Sequence, residues 1–205
     1  MSLPTIKVCG NKNASIIQLC INLGATLIGF VINYPKSPRS ISTYKLKILV
    51  KNIPKHIKKV AVMVNPTIEE VKEISNYCNV IQLHGNESNK FIKLIKKETN
   101  LLIIKVIKVK IKEDLEGIDC FPASDEILLD TPSMGQSGRA FNFKLLNEIK
   151  NKKFFLAGKI DINNVKTALK YTDKIDVNSG LETEKGIKDS DKIKEFFNRL
   201  KNDKS

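Results

Sequence analysis

The stretch Val60-Ala61-Val62-Met63-Val64-Asn65-Pro66-Thr67-Ile68-Glu69-Glu70, followed by Asn79-Val80-Ile81-Gln82-Leu83, decides the fold. Val60 to Val64 is a β-branched apolar run of strand type. Thr67 with Glu70 three residues later is a capping box, the signature of a helix start. Asn79 to Leu83 is strand again. A strand, a helix and a strand in so short a span form one β/α unit, because parallel neighbours need a crossover connection that is usually helical.

The same unit recurs on both sides. Upstream, Thr5 to Val8 precedes a helix at Ile16 to Leu23; Thr26 to Val31 precedes a Pro/Ser loop, Tyr34 to Ser40, and a helix over Thr43 to Val50. Downstream, Asn79 to Leu83 leads to a helix at Glu87 to Lys97, and Leu102 to Ile107 to a weak helix at Glu113 to Gly117. Glu126 to Leu129 is followed by a glycine-rich loop, Thr131 to Ala140, and a helix over Phe143 to Ile149. Phe154 to Leu156 pairs with a helix at Ile162 to Leu169, and Lys174 to Val177 with Ser190 to Leu200. Eight units in 205 residues predict an α/β chain folded as one domain over 1–205, a closed (β/α)8 TIM barrel near its lower size limit. The alternative is a doubly wound open sheet, which shares the alternation but uses fewer strands and often a Gly-x-Gly-x-x-Gly turn, absent after the first strand.

Charge narrows the partners. Lys+Arg number 35 against 22 Asp+Glu, a net charge of +13, but the arginines are only Arg39, Arg139 and Arg199. Nucleic-acid readout favours the arginine fork, and the lysines are spread along the helices, where they read as solvated faces. No nucleic-acid partner and no membrane partner is expected, since no long uncharged apolar run is present. Cys9, Cys20, Cys78 and Cys120 form no C-x-x-C pair, and with only His56 and His84 no metal site is expected. The start Met1-Ser2-Leu3-Pro4-Thr5 carries no secretory signal pattern, so the expected compartment is the cytoplasm.

In a parallel barrel the chemistry gathers at the C-terminal strand ends. Those positions hold Cys9-Gly10, Tyr34 to Arg39, Asn65, His84-Gly85, Asp130-Thr131, Ala157-Gly158 and Asn178-Ser179-Gly180. The small residues after the last two strands let backbone N–H groups approach a phosphate, or they simply end the strands. Cys9 is either an inert small hydrophobe or a thiol near an anion site that serves as a base. Asp130, after Ile127-Leu128-Leu129, is either a cap or a carboxyl poised between burial and solvent for general-acid work.

These residues resemble the phosphoribosylanthranilate isomerase family of tryptophan biosynthesis along almost the whole chain. The match runs through Lys7-Val8-Cys9-Gly10, Gly29-Phe30-Val31 with Tyr34-Pro35-Lys36-Ser37-Pro38-Arg39-Ser40-Ile41, Val62-Met63-Val64-Asn65 and Gln82-Leu83-His84-Gly85. It continues through Leu128-Leu129-Asp130-Thr131, Gly135-Gln136-Ser137-Gly138 with Phe141-Asn142-Phe143, Leu156-Ala157-Gly158 and Asp176-Val177-Asn178-Ser179-Gly180-Leu181-Glu182. The resemblance implies an Amadori rearrangement of a phosphorylated aminosugar, without cofactor or metal, by a monomer or homodimer.

By that resemblance Asp130 is the general acid, Cys9 the general base, and Arg39 the partner of the substrate carboxylate. Gly138, Gly158, Ser179 and Gly180 hold the phosphate, and Asp176 faces the substrate. The sequence departs from the family where Lys159 follows Gly158 in place of a second glycine, where Phe143 stands for a tryptophan, and where Asn178-Ser179 stands for two serines. Two other readings compete: a related barrel aminoaldose isomerase of histidine biosynthesis, and a non-catalytic basic barrel that binds anions or nucleic acid. The first typically pairs two aspartates, whereas the first strand here ends in Cys9.

Overall fold

The structure is a computed structural model that describes residues 4–132, 142–149 and 153–201. Eight strands build the barrel: β1 (Thr5–Val8), β2 (Leu27–Ile32), β3 (Lys58–Met63), β4 (Val80–Leu83), β5 (Leu102–Lys108), β6 (Glu126–Asp130), β7 (Phe154–Leu156) and β8 (Lys174–Val177). All neighbours are parallel, and the sheet closes through β1, which pairs with both β2 and β8. The closed barrel excludes the open doubly wound sheet.

Alternation along each strand sorts the core into two layers. On β1, Ile6 and Val8 face outward to the helices, while Lys7 and Cys9 face the barrel axis. Inside, Leu27, Val60, Val80, Ile104, Leu128 and Phe155 fill the floor. Packed bulky side chains there make the barrel interior a core and not a pore.

The helices follow their local chemistry. α1 (Ala14–Leu23) starts at Asn13, whose side chain accepts from the Ser15 N–H at 2.8 Å. α2 is Thr43–Leu49, and α3 (Ile68–Ser75) carries the expected capping box, with Thr67 N–H donating to Glu70 Oε2 at 2.8 Å and Glu70 N–H to Thr67 Oγ1 at 3.2 Å. α4 is Asn89–Glu98, α5 Val165–Ala168 and α6 Ser190–Lys201.

Four expected helices are corrected. Lys112–Ile118 and Phe143–Glu148 are 3-10 helices, short connectors of the kind that geometry commonly serves. The helix expected at Ile162 to Leu169 shrinks to α5, because Asp161 Oδ1 accepts from the N–H groups of Asn163 (2.8 Å) and Asn164 (3.2 Å) and holds those residues in a turn. Glu87 does not open α4; it is buried and accepts from the N–H groups of Asn65 at 2.8 Å and Gly85 at 2.9 Å, tying together the loops after β3 and β4.

The lysines are not all on solvated faces. Lys7 and Lys105 are buried and the side chain of Lys188 is 4% exposed, each against a carboxylate. Burial is tolerated because every one of the three ammonium groups is paired. Between β8 and α6 lies an element absent from the sequence reading, a hairpin of Glu182–Glu184 and Ile187–Lys188. Among the described residues no helix is long and apolar enough to cross a membrane.

Candidate active site

Cys9 extends β1 by one residue, its N–H donating to the Val177 carbonyl at 2.9 Å. The β1–β2 register sets Lys7 opposite Leu27 and so brings Gly29 beside Cys9. A Cβ on Gly29 would stand 3.0 Å from Cys9 Sγ and 3.2 Å from Lys7 Cε. The thiol and the lysine stem therefore converge on the volume the glycine leaves open.

Lys7 Nζ donates to both carboxylate oxygens of Asp176 at 2.9 Å. Burial alone would lower the lysine's pKa, but the Asp176 carboxylate and Cys9 outweigh it and raise the pKa. Burial pushes the Cys9 thiol up, and the same ammonium is the main group pulling it down.

Asp130 ends β6 at 5% exposure, with Oδ1 accepting from the Thr131 N–H at 2.8 Å and Oδ2 3.4 Å from His84 Nε2. His84 follows β4, fixed by its N–H on the Met63 carbonyl at 2.9 Å. Its buried Nε2 has no hydrogen-bond partner among the described residues.

Arg39 sits in the β2–α2 loop. Its Nε donates to Glu182 Oε1 at 2.8 Å and its Nη2 to Glu182 Oε2 at 2.6 Å. Lys188 Nζ donates to Glu182 Oε1 at 2.9 Å, to Asn178 Oδ1 at 2.7 Å and to the Asn178 carbonyl at 3.1 Å. Burial alone would raise the Glu182 carboxyl, but Arg39 and Lys188 overcome it and hold it down at about 2.

The loops after β7 and β8 complete the rim. Gly158 has φ +84°, and a Cβ there would lie 2.8 Å from Thr131 Cγ2. Lys159 keeps the left-handed backbone of a glycine, φ +57°. Ser179–Leu181 is a 3-10 turn, and the chain runs from it into the hairpin before α6. A Cβ on Gly180 would strike the Ile160 carbonyl oxygen, and the two loops stack backbone on backbone there.

A cavity of about 740 Å³, counting its open mouth, brings together Cys9, Arg39, Asp130, Gly158, Asp176 and Ser179. That size suits a small organic ligand. Gly180 supports the rim from behind and is not part of the lining; Gly138 lies outside the described residues. Sequence reasoning placed His84 at a strand end without giving it a role, and did not single out Lys7, Glu182 or Lys188. The period-2 alternation of β1 places Lys7 on the face of Cys9 and could have found it; no local signal marks Lys188.

A closed parallel barrel with a thiol, carboxylates, an imidazole and a guanidinium gathered at its C-terminal mouth defines a TIM-barrel enzyme of small-molecule chemistry. The particular family follows from comparison. The chain belongs to the N-(5'-phosphoribosyl)anthranilate isomerase family, whose model, described as "N-(5'phosphoribosyl)anthranilate (PRA) isomerase", matches residues 6–199.

It is 37% identical over 212 residues to the enzyme of that name from Staphylococcus epidermidis, covering 97% of this chain and 99% of the relative. It is 37% identical over 207 residues to the one from Aquifex aeolicus, covering 97% and 98%. Among solved structures, phosphoribosyl anthranilate isomerase from Thermotoga maritima superposes with a TM-score of 0.89 at 31% identity, covering 97% of this chain and 99% of that one. A structure of the enzyme in complex with reduced 1-(o-carboxyphenylamino)-1-deoxyribulose 5-phosphate superposes at 0.86 with 30% identity and the same coverage.

Proposed function

We propose that this chain catalyses the Amadori rearrangement of N-(5-phosphoribosyl)anthranilate to 1-(2-carboxyphenylamino)-1-deoxyribulose 5-phosphate, with Asp130 as general acid and Cys9 as general base. The observation that carries the reading is the presence of Cys9 and Asp130 on the wall of one cavity in a chain of this family.

Asp130 protonates the furanose ring oxygen, the C1–O bond breaks, and the nitrogen lone pair forms a Schiff base. The Cys9 thiolate then removes the C2 proton, and the electron pair neutralises the iminium to give an enolamine. Tautomerisation of that enolamine gives the ketone. Lys7 beside Cys9 favours the thiolate, and its partner Asp176 lines the same cavity.

Arg39 pairs with the anthranilate carboxylate, a planar partner for a guanidinium. Backbone at Gly158 and Ser179, with Gly138, holds the phosphate, and Gly180 supports that loop from behind. The enzyme works as a single-domain cytoplasmic protein on a soluble phosphorylated aminosugar, as a monomer or homodimer, and a solved relative is described as a dimeric enzyme.

The test is consumption of the aminoaldose followed by anthranilate fluorescence. Cys9→Ser and Asp130→Asn are each expected to lower kcat by more than about a hundredfold with the fold retained. Near-wild-type turnover by folded Asp130→Asn removes the acid from this carboxyl.

A further inference from the structure

We infer that Glu182 is a positioning residue that aims one edge of the Arg39 guanidinium at a carboxylate on the substrate, and that Lys188 is the buried cation that keeps this assembly attractive to an anion. The inference rests on the reading of Arg39 given above and deepens it. An arginine carries five N–H donors in a rigid fork. Glu182 takes the side edge, Nε and one Nη2 hydrogen, at 2.8 and 2.6 Å. The end edge, Nη1 with the second Nη2 hydrogen, is the one that grips a carboxylate through two parallel bonds. Among the described residues Nη1 has no hydrogen-bond partner, and Arg39 lines the cavity.

Charge gives Lys188 its part. Arg39 and Glu182 alone sum to zero and would offer little to an incoming anion. Lys188 Nζ donates to three acceptors, two on Asn178 and one on Glu182, an arrangement that uses all three hydrogens of an ammonium. Burial pushes the Lys188 pKa down and the Glu182 carboxylate opposes that fall; with Lys188 protonated, the triad of Arg39, Glu182 and Lys188 carries one net positive charge, which one aromatic carboxylate neutralises. The hairpin that delivers Lys188 is also tied to Glu182 from outside, where Lys192 Nζ donates to the Glu182 carbonyl at 2.7 Å.

The same hub reaches the other end of the ligand site. Lys188 clamps Asn178, the residue before Ser179-Gly180, and a Cβ on Gly10 would lie 2.8 Å from both Arg39 Cδ and Asn178 Oδ1. Orientation of the carboxylate grip and placement of the loop after β8 thus depend on one buried carboxylate.

The experiment compares kcat/KM for N-(5-phosphoribosyl)anthranilate with that for N-(5-phosphoribosyl)aniline, which lacks the carboxylate, product being followed by chromatography. The proteins are wild type, Arg39→Gln, Glu182→Gln, Lys188→Met and the double variant Arg39→Gln/Glu182→Gln. Glu182→Gln is expected to cut the preference for the carboxylated substrate by about tenfold, mainly through kcat, because the guanidinium stays cationic but loses its aim. In the Arg39→Gln background the same change is expected to alter that preference by less than about twofold.

Should Glu182→Gln fail to fold, Lys188→Met tests the hub alone, with an expected rise in KM that is larger for the carboxylated substrate than for its aniline analogue. Equal losses on both substrates, or an undiminished Glu182→Gln effect without Arg39, overturn the positioning role. A preference that survives Arg39→Gln overturns the reading of Arg39 itself, and an inactive wild type overturns the proposed reaction.

Discussion

Lys7 and Asp176 face each other in register across the β1–β8 seam where the barrel closes, with the ammonium 2.9 Å from both carboxylate oxygens. The pair stands one inward position below Cys9, so one contact links closure of the sheet to the charge beneath the thiol. Its lysine is fully buried and its carboxylate 7% exposed.

Removing one member of a buried ion pair leaves the other charge desolvated and alone, at a cost of about 3–5 kcal/mol. Lys7→Met is expected to lose stability on that scale in urea titration. Lys7→Met/Asp176→Leu, which removes both charges, is expected to recover most of the loss. A single variant within about 1 kcal/mol of wild type would mean that water or rearrangement already compensates Asp176.

The Cys9 thiol is raised above its ordinary value of 9.0 by burial, and Lys7 is the largest opposing influence. Since the thiolate is the reactive form, kcat/KM is expected to climb with pH on its alkaline side, following ionisation of Cys9. Lys7→Met is expected to move that limb further alkaline and to slow alkylation of Cys9 at a fixed pH. Peptide mapping separates Cys9 from the exposed Cys120. An unshifted limb in Lys7→Met assigns it to another group.

The barrel was legible because it is written in local chemistry: β-branched runs, the Thr67/Glu70 capping box and strand-end glycines repeat in order. The phosphate-side loops were less so. Asp161 turns Ile162 to Asn164 away from helix through side-chain bonds that compete with a pattern otherwise apolar at helical spacing. In the site, Cys9 and Asp130 stand at strand ends and Arg39 in the loop after β2, and all three could be found by position. Lys188 becomes a site neighbour only when the hairpin folds back over Glu182, a long-range event with no local sign, and the abundance of lysine elsewhere disguised it. Gly138 falls outside the described residues, so its expected place on the rim stays with the proposal.

Lys159 stores strain. A non-glycine residue in the left-handed region costs about 1–2 kcal/mol, and φ +57° places Lys159 there. Glycine removes that cost but gives back about 0.4–1 kcal/mol through the freedom of the unfolded chain. Lys159→Gly is therefore expected to be more stable than Lys159→Ala by about 0.5–1 kcal/mol, a comparison that cancels the loss of the lysine side chain common to both. Equal thermal midpoints for the two variants would show that the loop relaxes away from this backbone conformation.

Acid exposes the Glu182 hub. Its carboxyl is held at about 2 against an ordinary 4.5, because Arg39 and Lys188 favour the charged form more than burial disfavours it. A depressed folded-state pKa contributes stability that is complete above 4.5 and is lost as pH falls toward 2. At about 1.4 kcal/mol per unit the shift corresponds to roughly 3 kcal/mol. Solvent screening at the barrel mouth reduces it to about 1–2 kcal/mol. Urea midpoints measured through that window are expected to fall less steeply for Glu182→Gln than for wild type, since the variant has no proton to take up at this position. The two should differ most near neutral pH and converge in acid. Parallel curves would place the acid sensitivity in other carboxylates and would require that Arg39 and Lys188 hold Glu182 no more tightly in the folded chain than water does in the unfolded one.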